Sequence, residues 1–284
     1  MRVAVASGKG GTGKTTLATS LALVWSQERP LGFIDCDVEG PNADLLLNPR
    51  INTTREVSTL IPTLREDLCQ YCGDCADFCR YHALAVVGEK WMLFPELCHS
   101  CGGCTLLCPT AAIIEKPRVV GEIREGEIDG IQFSQGILGE GETQPVPVIE
   151  ALVQAPPPEG DIILDSPPGA SCSMITVARA ADIVLLVTEP TPFGLHDLSA
   201  AVEALRDISI PMGVVVNRAD WGDGSVRDFC SAEKIPILLE IPHFRRAAEA
   251  YARAVPLVSS VPKLWDDLLG LRSKLEQLIE GSSR

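Results

Sequence analysis

The sequence predicts an α/β fold, a mostly parallel doubly wound sheet interrupted by a small α+β insertion, and three observations lead there. Short apolar runs that end at an acid or an amide alternate with stretches of helical spacing, which is the pattern of βαβ units. The first such run leads directly into a glycine loop. Eight of the eleven cysteines fall between residues 69 and 108, where the alternation stops and a short unit is duplicated.

In chain order, Val3–Ala6 reads as a strand, Thr15–Gln27 as a helix of good helix formers, and Leu31–Ile34 as a strand ending at Asp35. From about Pro62 to Glu115 the composition changes. Cys69-Gln70-Tyr71-Cys72-Gly73-Asp74-Cys75 through Cys79 is echoed by Cys98-His99-Ser100-Cys101-Gly102-Gly103-Cys104 through Cys108. Both halves continue with small and apolar residues, Ala83-Leu84-Ala85-Val86 and Ala111-Ala112-Ile113-Ile114. Residues 117–142 are rich in Gly and Glu and predict β-hairpin-like connections. Val146–Val153 predicts a helix, broken by Pro156-Pro157-Pro158. Ile162–Leu164 (ending at Asp165), Ile183–Val187 and Met212–Val216 predict three more strands, whose near-continuous apolar character suits a parallel sheet covered on both faces. Leu264–Ile279 predicts a closing amphipathic helix. The expected organisation is one domain from residues 1–60 and 117–284, with residues 61–116 inserted into it.

The bulk properties narrow the function. The chain has 284 residues, 46% hydrophobic and 22% charged, enough to bury a sizeable core. Its net charge of -14 disfavours nonspecific binding to nucleic acid or to an anionic membrane, both of which need a positive surface. Met1-Arg2 runs straight into the first strand with no apolar leader region, and no stretch reaches the ~18 apolar residues of a membrane span. The closing helix carries Lys263, Asp266, Asp267, Arg272, Lys274, Glu276 and Glu280, a mixture unlike the basic face of a surface anchor. A cytoplasmic protein with no membrane anchor and no nucleic-acid partner is expected. In that compartment eleven cysteines favour metal ligation over disulfides.

Gly8-Lys9-Gly10-Gly11-Thr12-Gly13-Lys14-Thr15 fits G-x-x-x-x-G-K-[ST] at every fixed position, after a strand and before a helix. Glycines let the backbone turn several N–H groups toward a phosphate chain, and the following helix presents its positive end to the same charge. Lys14 reaches the β- and γ-phosphates, and the Thr15 hydroxyl ligates Mg²⁺. ATP with Mg²⁺ is therefore the expected ligand of a P-loop NTPase sheet. With the second lysine, Lys9-Gly10-Gly11-Thr12-Gly13-Lys14-Thr15-Thr16 resembles the deviant phosphate loop of the MinD, ParA, Mrp and nitrogenase iron-protein group. The resemblance implies an ATP-dependent sandwich dimer in which Lys9 touches the nucleotide of the partner subunit, and a nucleotide site running from Gly8 to Thr16.

Asp35-Cys36-Asp37-Val38-Glu39-Gly40-Pro41-Asn42 follows the second strand, and paired acids at a strand end can organise Mg²⁺ and a water. The resemblance makes this switch I, with Asp37 orienting the attacking water and Asp35 supporting the metal shell; capping of the next helix is the alternative for both. Asp161-Ile162-Ile163-Leu164-Asp165-Ser166-Pro167-Pro168-Gly169 has the form of a Walker B strand, with Asp165 near the metal. It resembles the family's switch II, where Gly169 offers an N–H to the γ-phosphate. Lys9, Lys14, Asp37 and Asp165 are the implied catalytic set. Asn217, at another strand end, suits an adenine edge through its amide, and relatives hold the base with such an asparagine and a stretch like Ile241-Pro242; an Asx turn is the alternative. Thr188-Glu189-Pro190-Thr191-Pro192 also resembles the family, without an assignable role.

Cys69-x2-Cys72-x2-Cys75-x3-Cys79 and Cys98-x2-Cys101-x2-Cys104-x3-Cys108-Pro109 form the pattern of bacterial two-cluster ferredoxins. That pattern implies one [4Fe–4S] cluster on Cys69, Cys72, Cys75 and Cys108, and a second on Cys98, Cys101, Cys104 and Cys79. Zinc in Cys₄ sites is the alternative. Arg80 stands where the pattern has proline. Cys36, Cys172 and Cys230 lie outside the repeat, and no closely spaced cysteine pair of the kind used by Mrp-like cluster carriers occurs there. The insertion between switch I and Walker B matches MinD-superfamily ATPases with an inserted ferredoxin domain.

The implied function is a slow, partner-stimulated ATPase that couples nucleotide-driven dimerisation to electron transfer or metallocluster handling. It would act as a homodimer, or as a heterodimer with a paralogous ATPase. A redox partner or a protein binding an iron–molybdenum-type cofactor would receive its output. The alternative is a MinD-like assembly or positioning protein whose clusters are structural or redox-sensing.

Overall fold

Apolar runs with no polar face can only be buried between two layers, and that requirement organises the chain. The computed structural model describes residues 1–155 and 160–282; the predicted break at Pro156-Pro157-Pro158 lies outside the described residues. The strands are β1 (Arg2–Ala6), β2 (Leu31–Asp35), β3 (Arg50–Leu64), β4 (Leu84–Val87), β5 (Lys90–Leu93), β6 (Ile113–Ile128), β7 (Ile131–Leu138), β8 (Asp161–Asp165), β9 (Ile183–Thr188), β10 (Met212–Asn217) and β11 (Ile237–Ile241). Among the described residues nine of them form one sheet, ordered β11-β10-β9-β1-β8-β2-β7-β6-β3, and β4 pairs with β5 alone. From β11 to β7 every pairing is parallel. β6 then runs antiparallel to both β7 and β3. The sheet is thus the mostly parallel α/β kind that the apolar runs predict.

The helices are α1 (Lys14–Trp25), α2 (Ala43–Leu47), α3 (Asp74–Phe78), α4 (Gly103–Leu107), α5 (Val146–Val153), α6 (Cys172–Arg179), α7 (Pro192–Arg206), α8 (Ser225–Ala232), α9 (Arg245–Tyr251), α10 (Leu257–Ser260) and α11 (Trp265–Ser282). Successive strand residues face opposite ways, so β1 feeds two cores. Val3 and Val5 pack with Leu17 and Trp25 of α1 and with Leu268, Leu271 and Leu275 of α11. Ala4 and Ala6 pack with Val148 and Leu152 of α5, Val177 of α6 and Leu205 of α7. The closing helix is fastened by more than its leucines. The Trp25 indole donates to the Leu268 carbonyl at 2.9 Å, and buried Arg272 meets Asp161 at 2.9 Å. Asp161 also takes the N-terminal amino group at 3.1 Å. No helix among the described residues is long and apolar enough to cross a membrane.

Two elements depart from the simple strand–helix alternation. β3 was not foreseen: its residues are mostly exposed, so no core-facing stripe marks it. It pairs with β6 from Arg50↔Glu127 to Leu64↔Ile113. This antiparallel ribbon runs unbroken through residues 60–61 and 116–117 and carries the cysteine-rich segment at its far end. β7, foreseen only as a hairpin arm, is also a core strand. It follows β6 through a turn with left-handed Asp129 and Gly130, a good two-residue hairpin combination, and lies parallel to β2 with Phe133 stacked on Phe33 at 5.9 Å.

The duplicated sequence is a duplicated structure. Each half has a 3₁₀ turn (Glu66–Leu68 and Pro95–Leu97), then a one-turn helix, α3 or α4, and then a strand. Left-handed backbone recurs at matching positions: Tyr71 and Ser100, Gly73 and Gly102, His82 and Ala111. The halves are in close contact, since a side chain at Gly103 would meet the Phe78 ring at 2.3 Å.

Because Leu271 is fully buried, Leu271→Ala is expected to lower stability by about 2–5 kcal/mol through lost burial and a residual cavity. Urea unfolding followed by circular dichroism measures this; an unchanged midpoint would show that α11 contributes nothing to the core.

Candidate functional site

The C-terminal ends of the parallel strands open a crevice where the strand order reverses beside β1, the usual ligand position in doubly wound sheets. The glycine loop spans residues 7–13 between β1 and α1. Gly13 (φ +93°) has left-handed backbone that other residues adopt only with strain. A side chain there would also strike the Asn217 amide nitrogen at 2.6 Å. The loop is pinned from both sides: Asn217 Nδ2 donates to the Thr12 carbonyl at 2.8 Å, and Ser7 Oγ to the Lys9 carbonyl at 2.7 Å. The space beside Gly10 and Gly11 is open.

Lys14 turns back beneath this loop. Its ammonium donates to Asp165 Oδ1 at 2.9 Å, lies 3.3 Å from Thr15 Oγ1, and stands 3.9 Å from Asp37 Oδ2. Burial pulls the Lys14 pKa down, but Asp165, helped by Asp37 and Asp35, more than reverses this and the lysine is held above its ordinary value. Asp165 is wholly buried, and its second oxygen, like Thr12 Oγ1, has no protein partner. Buried polar atoms are nearly always satisfied, so an orphaned carboxylate oxygen on the residue that shares Lys14 with Thr15 fits a hydrated Mg²⁺ at that point.

Asp37 and Asp35 differ in surroundings. Burial raises the Asp37 carboxyl to about 6, with Lys14 opposing and Asp165 and Glu39 adding to the rise. Asp35 is fully buried and commits its oxygens to backbone: Asp37 N–H at 3.1 Å, Asn42 N–H at 3.2 Å and Ala43 N–H at 3.1 Å. These bonds tie the 37–42 loop to the start of α2. Gly169 likewise gives its N–H to the Ser7 carbonyl at 2.9 Å. In this structure that donor is therefore taken up by the glycine loop's own backbone.

The whole crevice, about 420 Å³, continues past Thr16, Asn217 and Pro242 to Phe244, Tyr251 and Leu257. The last three were missed, because α9 and α10 carry no motif and reach the site only through the fold. Asn217 has both amide atoms engaged, Nδ2 as above and Oδ1 accepting from Arg218 N–H at 2.9 Å. Its observed work is therefore to brace the loop, while it also lines the crevice. Thr188-Glu189-Pro190-Thr191-Pro192 acquires a role here. The Thr188 hydroxyl donates to the Gly194 carbonyl at 3.0 Å, and Thr191 caps α7 by accepting from Gly194 N–H at 3.0 Å. The stiffened turn places Glu189 between Arg218, with which it forms an ion pair, and Lys9, 4.0 Å away.

The eight repeat cysteines gather four and four. Cys98, Cys101, Cys104 and Cys79 share a cavity of about 160 Å³, with Arg80, Tyr81 and His99 in its wall; the Tyr81 and His99 rings stack at 3.6 Å. Cys69, Cys72, Cys75 and Cys108 share a second cavity with Trp91 and Pro109. In both, one thiol crosses over from the other half of the repeat. Backbone N–H groups point at sulfur from Tyr71 to Cys69 at 3.4 Å, Ala83 to Cys79 at 3.4 Å and Ala112 to Cys108 at 3.2 Å. Such donors favour thiolate and tune clusters that thiolates hold. Among the described residues no three thiol, imidazole or carboxylate groups converge tightly enough to hold a single ion. A cubane, ligated at its corners, asks instead for four thiols around a common space; both sets supply the donors, and the space is about 160 Å³ at the Cys98 set and about 20 Å³ at the Cys69 set.

The other cysteines stand apart. Cys36 is buried, its thiol pushed well up by burial and by Asp35 and Asp165. Cys230 is buried too, and raised to about 11. Cys172 is exposed at the start of α6.

Residues 3–257 match the CobQ/CobB/MinD/ParA nucleotide binding domain family. An uncharacterized protein of Methanocaldococcus jannaschii is 32% identical over 257 residues, covering 89% of this chain and 90% of its own. An iron–sulfur cluster carrier protein of Aquifex aeolicus is 25% identical over 298 residues, covering 98% of this chain and 68% of its own. In fold the chain is similar to the septum site-determining protein MinD complexed with Mg-ADP from Pyrococcus horikoshii. That match has a TM-score of 0.61 at 16% identity and covers 99% of this chain and 98% of the other.

Asp37 sits above its ordinary 3.8 when folded, so the fold favours its protonated form. That stabilisation is complete below pH ~4 and lost as pH rises through about 6. Discounted for partial exposure, the ionised carboxylate costs the nucleotide-free chain roughly 1–2 kcal/mol at neutral pH. Asp37→Asn is therefore expected to be the more stable protein at pH 7.5, with the difference closing near pH 4. Urea midpoints for both chains across that range measure it, and a constant offset would contradict the electrostatic reading.

Proposed function

The chain belongs to the CobQ/CobB/MinD/ParA nucleotide-binding family, and on that premise we propose that it is a cytoplasmic Mg·ATP-hydrolysing protein with two [4Fe–4S] clusters, whose nucleotide state governs electron or cluster delivery to a partner protein. One observation carries the reading: a single fold holds the buried Lys14–Asp165 pair beneath a glycine loop and eight thiols sorted into two cavities. Residues 61–116 act as a ferredoxin-like domain inserted into an ATPase domain of residues 1–60 and 117–284. The iron–sulfur cluster carrier function of the Aquifex relative points the same way.

The phosphate chain of ATP replaces Asp165 as the partner of Lys14, and the loop N–H groups with the first turn of α1 carry the rest of its charge. Thr15 and the freed Asp165 hold Mg²⁺, with Asp35 fixing the loop behind them. Asp37 orients the attacking water for in-line transfer. Asn217 and Pro242, with Phe244 and Tyr251 beside them, enclose the base. Lys9 leaves Glu189 and reaches the nucleotide of a second subunit, either another copy of this chain or a paralogous ATPase. When bound, the two clusters supply one-electron storage. The cysteine sets Cys69, Cys72, Cys75, Cys108 and Cys98, Cys101, Cys104, Cys79 hold them, and exposed Arg80 places positive charge at the rim of the second cavity. The receiving partner is a redox protein or one that binds an iron–molybdenum-type cofactor.

Protein purified anaerobically is expected to carry about eight irons per chain and to bind Mg·ATP saturably. Lys14→Ala should lose nucleotide binding while keeping its iron, and Cys101→Ser should lose iron while keeping nucleotide binding. Iron-free protein after reconstitution would overturn the cluster assignment. Equal electron or cluster transfer by wild type and Lys14→Ala would overturn the coupling.

A further inference from the structure

The nucleotide crevice and one of the two cysteine cavities are joined by an unbroken set of short contacts. It begins at switch I. Val38, next to Asp37 and buried, accepts a hydrogen bond from Leu138 N–H at 2.9 Å where β7 ends. The chain then makes a braced turn. Gly139 N–H donates to the Val120 carbonyl at 2.8 Å, Glu142 N–H to the Gly139 carbonyl at 3.0 Å, and the Glu142 carboxylate is paired with Arg118 on β6. Two residues on, the Gln144 amide donates to the Cys98 carbonyl at 3.1 Å and lies 3.4 Å from the Glu96 carbonyl. The Thr143 hydroxyl reaches the same Glu96 carbonyl at 3.4 Å. Pro145 links Gln144 to α5, whose Val148 packs in the same core as Val38. There is little slack at that junction: a side chain at Gly136 would strike Val38 at 2.6 Å and Val148 at 3.1 Å.

Both cavities are walled by the insertion and the ends of the ribbon. What separates them is the contact from outside: Thr143 and Gln144 reach the 96–98 carbonyls, beside the cavity of Cys98, Cys101, Cys104 and Cys79. The two halves of the repeat, alike in backbone, thus differ in how they are tied to the ATPase core.

We propose that Gln144 is the positioning residue through which the nucleotide site acts on the cavity of Cys98, Cys101, Cys104 and Cys79, so that only the cluster held there responds to ATP. The proposal rests on the reading of the chain as an ATPase with two clusters. A displacement of Asp37 on binding Mg·ATP moves the Val38 carbonyl and with it Leu138. The braced 139–142 turn passes that movement to Gln144 instead of absorbing it. An amide dipole fixed on the Cys98 carbonyl, within the cluster's own ligand loop, changes the local field and hydrogen bonding that set a cluster's potential. By linkage, reduction of that cluster must alter ATP affinity by the same factor that ATP alters the reduction equilibrium.

The test uses the full chain with both clusters loaded. Potentiometric titration followed by electron paramagnetic resonance, with and without Mg·ATP, is carried out on wild type and Gln144→Leu, and Cys101→Ser identifies the signal of the Cys98 side. In wild type, Mg·ATP is expected to change the oxidised-to-reduced ratio of the Cys98-side cluster about tenfold, about 59 mV for a one-electron couple, and to leave the other cluster unmoved. Gln144→Leu should keep its iron and its Mg·ATP affinity in the oxidised state while losing most of that change. Hydrogen exchange of residues 96–100 gives a readout independent of potential: nucleotide should alter protection there in wild type and not in Gln144→Leu. A full response in Gln144→Leu, or a response of the Cys69-side cluster instead, would overturn the proposal and leave the ATPase–cluster coupling standing. No response of either cluster in nucleotide-bound wild type would overturn both.

Discussion

Lys14 and Asp165 form an ion pair 2.9 Å long with almost no contact with water, and the nucleotide end of the molecule is arranged around it. A buried pair recovers its desolvation cost only when both groups are well bonded, yet Asp165 keeps one oxygen without a partner. The surrounding fold must hold these charges in place. β1 and β8 lie side by side with Val5 opposite Asp165, α1 starts at Lys14 itself, and the buried layers on both faces of the sheet prevent relaxation. The pair is thus a filled place-holder: the lysine is charged and aimed, with Asp165 standing where a polyanion would bind it.

The same constraint explains the company this pair keeps. Asp35 is bonded to the backbone of the 37–42 loop and Asn217 to the glycine loop, so both loops are tethered by side chains and not by strand pairing. Glu189 performs a similar duty for Lys9 and Arg218. Charges at three separate strand ends are thus held in fixed positions around the crevice.

The cysteine-rich segment solves a different problem. A unit of about fifty residues with few buried apolar side chains cannot build a large core, and small domains of that kind need metals or other cross-links. Placing it at the end of the β3–β6 ribbon, on the outer edge of the sheet, attaches it without disturbing the parallel strands. The ribbon also covers the edge that β7 would otherwise expose, while the Gln144 contact brings one half of the repeat back against the core.

Much of this was legible in the residues. Sharp apolar runs with no polar face can be little else but central strands, so β1, β2, β8, β9 and β10 were foreseen within a residue or two of their ends. The glycine loop and the cysteine spacings were equally plain, since each position is demanded by backbone conformation or ligand geometry. Other features left no local trace. β3 is exposed and irregular in pattern, β7 looks like a hairpin arm until it meets β2, and Glu189, Phe244, Tyr251 and Gln144 belong to no motif that names their neighbours. Asp35 was legible as an acid at a strand end, but only its three N–H partners show that its oxygens are turned to the backbone. By itself the sequence determined the central strands, the glycine loop and the spacing of the thiols, because those depend on side-chain period and on residues close in the chain. The tertiary structure decided which distant residues wall the crevice beyond the glycine loop and which half of the cysteine repeat touches the segment after β7, because those contacts join positions separated by tens to hundreds of residues that only the packed sheet brings together.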